Sequence, residues 1–230
     1  MTNFEIFYEY FITYKGYKDY LMGLKNTAII AVFGLLIGFL LGCIIATIKI
    51  IPRKNVPLLI AEKICDVYVA LFRGTPMTVQ LLLLHFAIFP MIGLDIDTVS
   101  EAVIIFGLNS AAYMAEILRS GINAVDKGQM EASRSLGFGF VPSMIRIILP
   151  QAIKNILPTL GNEFITLIKE TSVVSFIAVV DVTKALKSIA DSTTEFFIPY
   201  IVLAITYLII VLGITWLIKI MEKRFAKDER

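Results

Sequence analysis

Apolar residues gather in five long blocks along the chain, with polar residues between them or at a few marked positions inside them. The first block runs from about Met22 to Ile51, with Lys25, Asn26 and Lys49 only near its ends. At ~1.5 Å per residue it is long enough to cross a ~30 Å hydrocarbon core with tilt, which predicts a membrane span. The second block, about 58–89, carries Glu62, Lys63 and Asp66 near its start and Arg73, Gly74, Thr75 and Pro76 in its middle. Lipid does not tolerate such an interruption, so these residues are expected to face protein or a cavity. Three further spans are predicted at about 98–118, 151–180 and 196–221. The expected fold class is therefore all-α membrane protein, with one transmembrane domain over 21–222. An extracytoplasmic N-terminal segment (1–20) precedes it and a short cytoplasmic tail (223–230) follows.

Composition agrees with this pattern. The chain is 57% hydrophobic and 17% charged, against roughly 45–50% and ~25% for soluble domains. A net charge of +2, with no basic stripe interleaved with aromatics, gives no footprint for nucleic acid. Cys43 and Cys65 form neither a disulfide framework nor a CxxC metal site. His85 is the sole histidine and has no second ligand type at helical spacing, so it reads as a packed imidazole and no metal site is expected. The first residues mix aromatics with Glu5, Glu9 and Lys15 and lack a basic leader region or cleavage site, so this segment is expected to stay attached.

Lysine and arginine set the expected orientation. Lys49, Arg53, Lys54 and Lys63 flank the first connection, whereas the second carries Asp95, Asp97 and Glu101. Arg119, Lys127, Arg134 and Arg146 mark the third connection, and Lys219, Lys223, Arg224, Lys227 and Arg230 the tail. The basic side is the cytoplasmic one, which puts the N-terminus outside and the C-terminus inside.

The long third connection, about 121–150, is too polar to span. Residues 129–136 favour a short helix; Gly137 and Gly139 are expected to end it at positive φ, and Pro142 suits the first turn of another. Ala132 and Leu136, four apart, make a small apolar knob rimmed by Glu131 and Arg134 and suited to a groove on a partner.

Glu131-Ala132-Ser133, followed by Leu136-Gly137 and later Ile148-Leu149-Pro150, resembles the EAA loop of ABC-importer permeases. Further matches are Arg73-Gly74-Thr75-Pro76 with Gln80, Ala112-Tyr113 with Ala115-Glu116-Ile117 and Arg119, Pro150-Gln151-Ala152 with Asn155 and Pro158, Asn162-Glu163-Phe164, and Lys169-Glu170-Thr171-Ser172. Together they resemble the polar-amino-acid permeases of the histidine, glutamine, arginine and cystine type, over nearly the whole chain from Leu21. The resemblance implies a type I importer fold and a second permease subunit, identical or homologous. It also implies two ATP-binding subunits that carry ATP and Mg, and an extracytoplasmic substrate-binding protein. Coupling to the ATPase is then expected from Gly128, Glu131, Ala132, Ser133, Leu136 and Gly137. No cofactor is expected on this chain and no catalytic residue, since no nucleophile lies beside a base.

Lys169, Glu170, Thr171 and Ser172 lie within apolar flanks, where charges are costly unless they pair or line water. A zwitterionic substrate needs an acceptor for its ammonium and donors for its carboxylate. Arg73, Thr75, Gln80 and Glu116 are candidates for the same route. Two structural readings stay open: Lys169 and Glu170 satisfy each other, and Arg73 and Glu116 belong to packing clusters, with Glu116 paired to Arg119. Asn162 and Glu163 read as part of a gate or as contacts to a neighbouring helix end. Pro158 and the polar run invite an unwound turn in the fourth span. Gly34, Gly38 and Gly42 form a small-residue ridge that packs either within the subunit or against a second one. The competing function is a stand-alone channel or secondary transporter. It has no need of the docking element, and no internal repeat supports it.

Overall fold

A computed structural model describes residues 2–52 and 55–227, with the backbone alone for 225–227. Arg53, Lys54 and Arg230, read above as part of the basic side, lie outside the described residues, as does the side chain of Lys227. Among the described residues every regular element is helical. Thr2 and Glu5 cap α1 (Asn3–Tyr8) reciprocally, the Glu5 amide donating to Thr2 Oγ1 and the Thr2 amide to Glu5 Oε2. A π-helical turn (Glu9–Thr13) leads into α2 (Gly16–Ile50), whose 35 residues reach about 52 Å. Next come α3 (Val56–Gly74), α4 (Met77–Leu83), a π turn (Leu84–Ile88) and α5 (Phe89–Met91). Then follow α6 (Thr98–Asn123), α7 (Lys127–Ser135), α8 (Phe140–Ser143) and, after another π turn, α9 (Leu149–Glu170). A 3-10 turn (Thr171–Ile177), α10 (Val182–Thr193) and α11 (Phe197–Lys227) complete the chain.

Among the described residues three helices, α2, α6 and α11, are long and apolar enough to cross a membrane, or up to four spans if the bent pair α3 and α4–α5 counts as one. That pair turns by 110° at Thr75 and Pro76, where Pro76 forces extended backbone before α4. The predicted fourth span divides into α9 and the 3-10 turn. Pro158 is accommodated inside α9 without a break, and the α-helix gives way to the 3-10 turn at Thr171, within the polar run where an unwound turn was expected. Hydropathy does not single out α9 because polar residues repeat along one of its faces, as described below.

The glycine ridge fixes the centre of the bundle. A Cβ on Gly38 would lie 2.6 Å from Ser110 Cβ, and one on Gly42 2.5 Å from Met114 Cβ, so α2 rests directly on α6. The ridge therefore packs within the subunit. Ile30, Leu81, Ile105, Phe106, Leu167 and Val174 close the core around it, all essentially inaccessible. The outer faces of α2 and α11 leave large apolar side chains such as Phe33, Leu40, Ile209 and Trp216 exposed, as a lipid-embedded surface requires. At the N-terminus of α6, outside the apolar stretch, Asp97 accepts from the side chain and amide of Ser100 and the amide of Val99. These bonds hold its carboxyl below the usual carboxylate range.

Candidate functional site

The segment expected to dock on a partner forms as two short helices held by a small core of their own. Asp126 caps α7 by accepting from the Gly128 amide at 2.8 Å, and Val125, Met130, Met144, Ile148 and Ala152 pack beneath it. Ser133 is buried and bonds Ser143 Oγ at 2.6 Å, tying α7 to α8. Ser133 thus positions the segment, whereas Glu131 and Ala132 are exposed, Leu136 is 78% exposed and Phe138 also faces outward. Gly137 takes a φ of +88°, as predicted. Gly139 does not: at φ −72° it starts α8 in extended backbone, because one left-handed residue already reverses the chain. Gly121 brings α6 so close to α9 that a Cβ there would lie 1.9 Å from Ile156 Cγ2, which fixes the root of the segment.

The break between α3 and α4 is closed by Gln80. Its buried Nε2 donates to Phe72 O at 2.8 Å, Thr75 O at 2.9 Å and Thr75 Oγ1 at 2.8 Å, satisfying carbonyls that the end of α3 leaves unpaired. Its Oε1 accepts from Asn109 Nδ2 at 2.8 Å, tying the bend to α6. Gln80 and Thr75, two expected substrate contacts, are thereby occupied in holding the bend. Gly74 has nothing within 4 Å of its Cβ position, so no close helix approach is made there. Gln80→Ala leaves two carbonyls and the Asn109 amide without this partner, at about 1–3 kcal/mol for each buried group. A clearly lowered thermal midpoint of the detergent-solubilised protein is expected; an unchanged midpoint would show that the clamp carries no stability.

At the end of the bundle nearest α7, Glu116 is the hub of an ion cluster. Lys49 Nζ lies 3.0 Å from its Oε1 and 3.2 Å from Asp66, Arg119 donates to Glu116 through Nη2 and a shared Nε, and Arg73 approaches it to 3.7 Å while lying over the Tyr113 ring. The pairing of Glu116 with Arg119 is present, so this carboxylate is already fully engaged. Arg73, nearly half exposed and only loosely paired, keeps donors free. Beside the cluster lies an open pocket of about 380 Å³, with Arg73, Tyr113, Glu116, Arg119, Asn155 and Thr159 in its walls. That size is at the small end of ligand pockets (~300–1,000 Å³).

Thr159 belongs to a series the sequence reading did not assemble. Asn155, Thr159, Glu163, Thr166 and Glu170 recur every three or four residues and so share one face of α9, running from the pocket towards the 3-10 turn. The expected cluster Lys169 to Ser172 is split by the same helical geometry. Lys169 is exposed, Glu170 is half-buried on the polar face, and Ser172 is half-buried. Thr171 is fully buried, with its hydroxyl donated to Ile168 O at 2.7 Å. Lys169 and Glu170 form no ion pair with each other. Towards the other end of the bundle, His85 Nδ1 contacts the buried carboxylate of Glu101. These residues lie sixteen apart on separate helices, so helical spacing could not reveal the pair.

An all-helical membrane chain with a polar face along α9, a polar pocket at one end of that face and an exposed pair of short helices beyond it has the character of a transport permease. The chain belongs to the family of binding-protein-dependent transport system inner membrane components, which matches residues 34–227. It is 42% identical over 204 residues, 89% of each chain, to the putative glutamine transport system permease protein GlnP of Rickettsia bellii. To the arginine transport system permease protein ArtQ of Bacillus subtilis it is 38% identical over 209 residues, covering 91% and 93% of the two chains. Among solved structures it resembles an amino acid ABC transporter crystallised with histidines (TM-score 0.83, 39% identity, 94% and 98% covered). The inward-facing MetNI methionine transporter (TM-score 0.65, 17% identity, 90% and 94% covered) shares the fold. The chain is thus a multi-pass membrane permease subunit of an ABC importer with the type I fold, and not the ATP-hydrolysing component.

Proposed function

We propose that this chain carries polar amino acids across the cytoplasmic membrane by alternating access, driven through α7 by separate ATPase subunits. The observation that carries this reading is the exposed Ala132–Leu136 knob, held by its own core at the root of α6 and α9. Force applied there reaches both helices that line the pocket, since Gly121 and Ile156 pack them in direct contact. In the assembly we propose, two permease subunits, identical or homologous, meet two ATP-binding subunits inside and a substrate-binding protein outside. ATP and Mg are held by the ATPases, and this chain needs no cofactor. The Lys and Arg distribution supports an outside N-terminus and a cytoplasmic tail, with α9 as the additional crossing that makes five.

Within the pathway, Arg73 offers free donors for the substrate carboxylate, and Glu170 with Ser172 offers acceptors for the ammonium. Lys169, Thr171, Thr75, Gln80 and Glu116 support these groups, Gln80 by holding the bend and Glu116 by placing Arg73. The relatives above are likewise glutamine, arginine and amino acid transport proteins.

Uptake of labelled amino acids into proteoliposomes tests the proposal. The permease with its ATPase and binding protein should accumulate substrate only when ATP is present on the ATPase side. Passage of substrate through the permease alone would favour a stand-alone channel or secondary transporter.

A further inference from the structure

Five of the chain's nine tyrosines fall within its first twenty residues, ahead of the apolar stretch of α2. Tyrosine gathers at membrane boundaries, where its ring meets lipid and its hydroxyl meets water. In this segment α1 and the π turn after it divide their side chains three ways. Phe7 is buried with its ring 5.3 Å from that of Phe11, and the two join Val182, Leu186 and Ile189 of α10 and Ile198 and Val202 of α11 in one apolar cluster. Phe4, Tyr8 and Ile12, four apart and so on one side, are 64%, 55% and 45% exposed. Glu5, Glu9 and Thr13 each follow one residue later, roughly 100° further round, and remain at least partly open. A helix surrounded by water has no use for the second face, and one surrounded by protein has none for the third.

The level of the segment is fixed by α11. Phe197, Ile201, Ile205, Leu212 and Trp216 form an exposed apolar stripe along it. From Phe197 to Trp216 is about 28 Å along the helix, close to the ~30 Å thickness of the hydrocarbon core, so the two rings mark its two boundaries. Packing on Ile198 and Val202, in the first turns of α11, sets α1 at the boundary marked by Phe197, where Phe196 and Tyr200 are exposed as well.

Building on the proposed outside N-terminus, we infer that α1 and its π turn lie along the outer leaflet, with Phe4, Tyr8 and Ile12 sunk among the phospholipids where headgroups meet acyl chains. Glu5 and Glu9 turn towards water, and the partner of the apolar face is lipid. A single row of three partly exposed side chains offers far less than the ~800 Å² that a stable protein interface takes from each partner. Because Phe7 and Leu186 share one cluster, the leaflet that holds α1 also holds α10. That helix follows the 3-10 turn at the end of α9, so the outer end of the polar face is moored to the membrane plane.

The test uses the permease–ATPase complex in proteoliposomes, with Cys43 and Cys65 replaced by alanine, a cysteine-free ATPase and one nitroxide label at Tyr8→Cys or Glu9→Cys. At Tyr8→Cys, collisions with oxygen, which concentrates in lipid, should exceed those with a water-soluble nickel chelate by about threefold; at Glu9→Cys the order should reverse. Phe4→Cys and Ile12→Cys should repeat the Tyr8→Cys pattern. Nickel access at Tyr8→Cys equal to that at Glu9→Cys, as on a face left open for a soluble partner, would overturn the inference. Shielding of Tyr8→Cys from both reagents, as under a second permease subunit, would overturn it too. A membrane-impermeant maleimide added to sealed right-side-out vesicles separates the two readings. Labelling of Glu9→Cys from inside alone sinks the orientation and the inference together. Labelling from outside without the nitroxide pattern leaves the orientation standing and overturns the lipid-bound helix alone.

Discussion

Replacing Gly137 with valine is expected to abolish substrate-stimulated ATP hydrolysis by the assembled transporter while leaving the permease folded in the membrane. Gly137 holds a φ of +88°, a conformation in which an L residue is strained by roughly 1–2 kcal/mol, and a β-branched one more. Its Cβ position is open, so valine meets no clash and disturbs no packing. The strain is therefore relieved only by changing the turn that presents Leu136 and Phe138, and the knob loses its fit to the motor. Stimulation should fall to the basal rate, with Gly137→Ala intermediate and Glu131→Ala also impaired through its exposed rim contact. Undiminished stimulation in Gly137→Val would remove this turn from the coupling path.

Gly42→Val is expected to act at the opposite level, on the fold itself. A Cβ there meets Met114 Cβ at 2.5 Å, the Ala115 amide nitrogen at 3.1 Å and Ala111 O at 3.2 Å. Two of these neighbours are backbone atoms, which cannot rotate out of the way as a side-chain tip can. Overpacking of this kind costs ~1–3 kcal/mol, and more when the backbone must move. The expected result is a large loss of monodisperse protein in detergent and a lower thermal midpoint, with Gly42→Ala less affected. Gly121 makes an instructive contrast, because its nearest neighbour is a methyl of Ile156 that can change rotamer. A Gly42→Val protein as stable as wild type would mean that α2 and α6 are not held at this separation.

The residues explain how much could be read in advance. Long apolar blocks identify α2, α6 and α11 directly, because lipid contact imposes a composition on every residue of a span. The docking segment was equally legible: Gly137 and the Ala132–Leu136 spacing are local features, and local features survive translation into structure. The ridge of Gly34, Gly38 and Gly42 was legible as a packing surface but silent about its partner, which a 72-residue separation between Gly38 and Ser110 conceals. The same holds for Gln80 with Asn109 and for His85 with Glu101, pairs made only when separate helices meet.

The polar run Lys169 to Ser172 was misleading for a different reason. Adjacent residues on a helix point about 100° apart, so four polar neighbours cannot all face one pathway. Asn155, Thr159, Glu163, Thr166 and Glu170 do share one face of α9, and their spacing of three and four was present in the sequence throughout. Pro158 drew attention to the middle of α9, yet the helix continues past it and changes character only at Thr171.

Disulfide trapping at the tip of the docking segment tests the central claim most directly. Cys43 and Cys65 are replaced by alanine, Leu136 by cysteine, and single cysteines are placed around the surface groove of the ATPase partner. Rapid crosslinking of Leu136→Cys to the ATPase, with a yield that changes between nucleotide-free and ATP-bound complexes, is the expected result. No crosslink to any ATPase position, or labelling of that cysteine from the extracytoplasmic side, would contradict it.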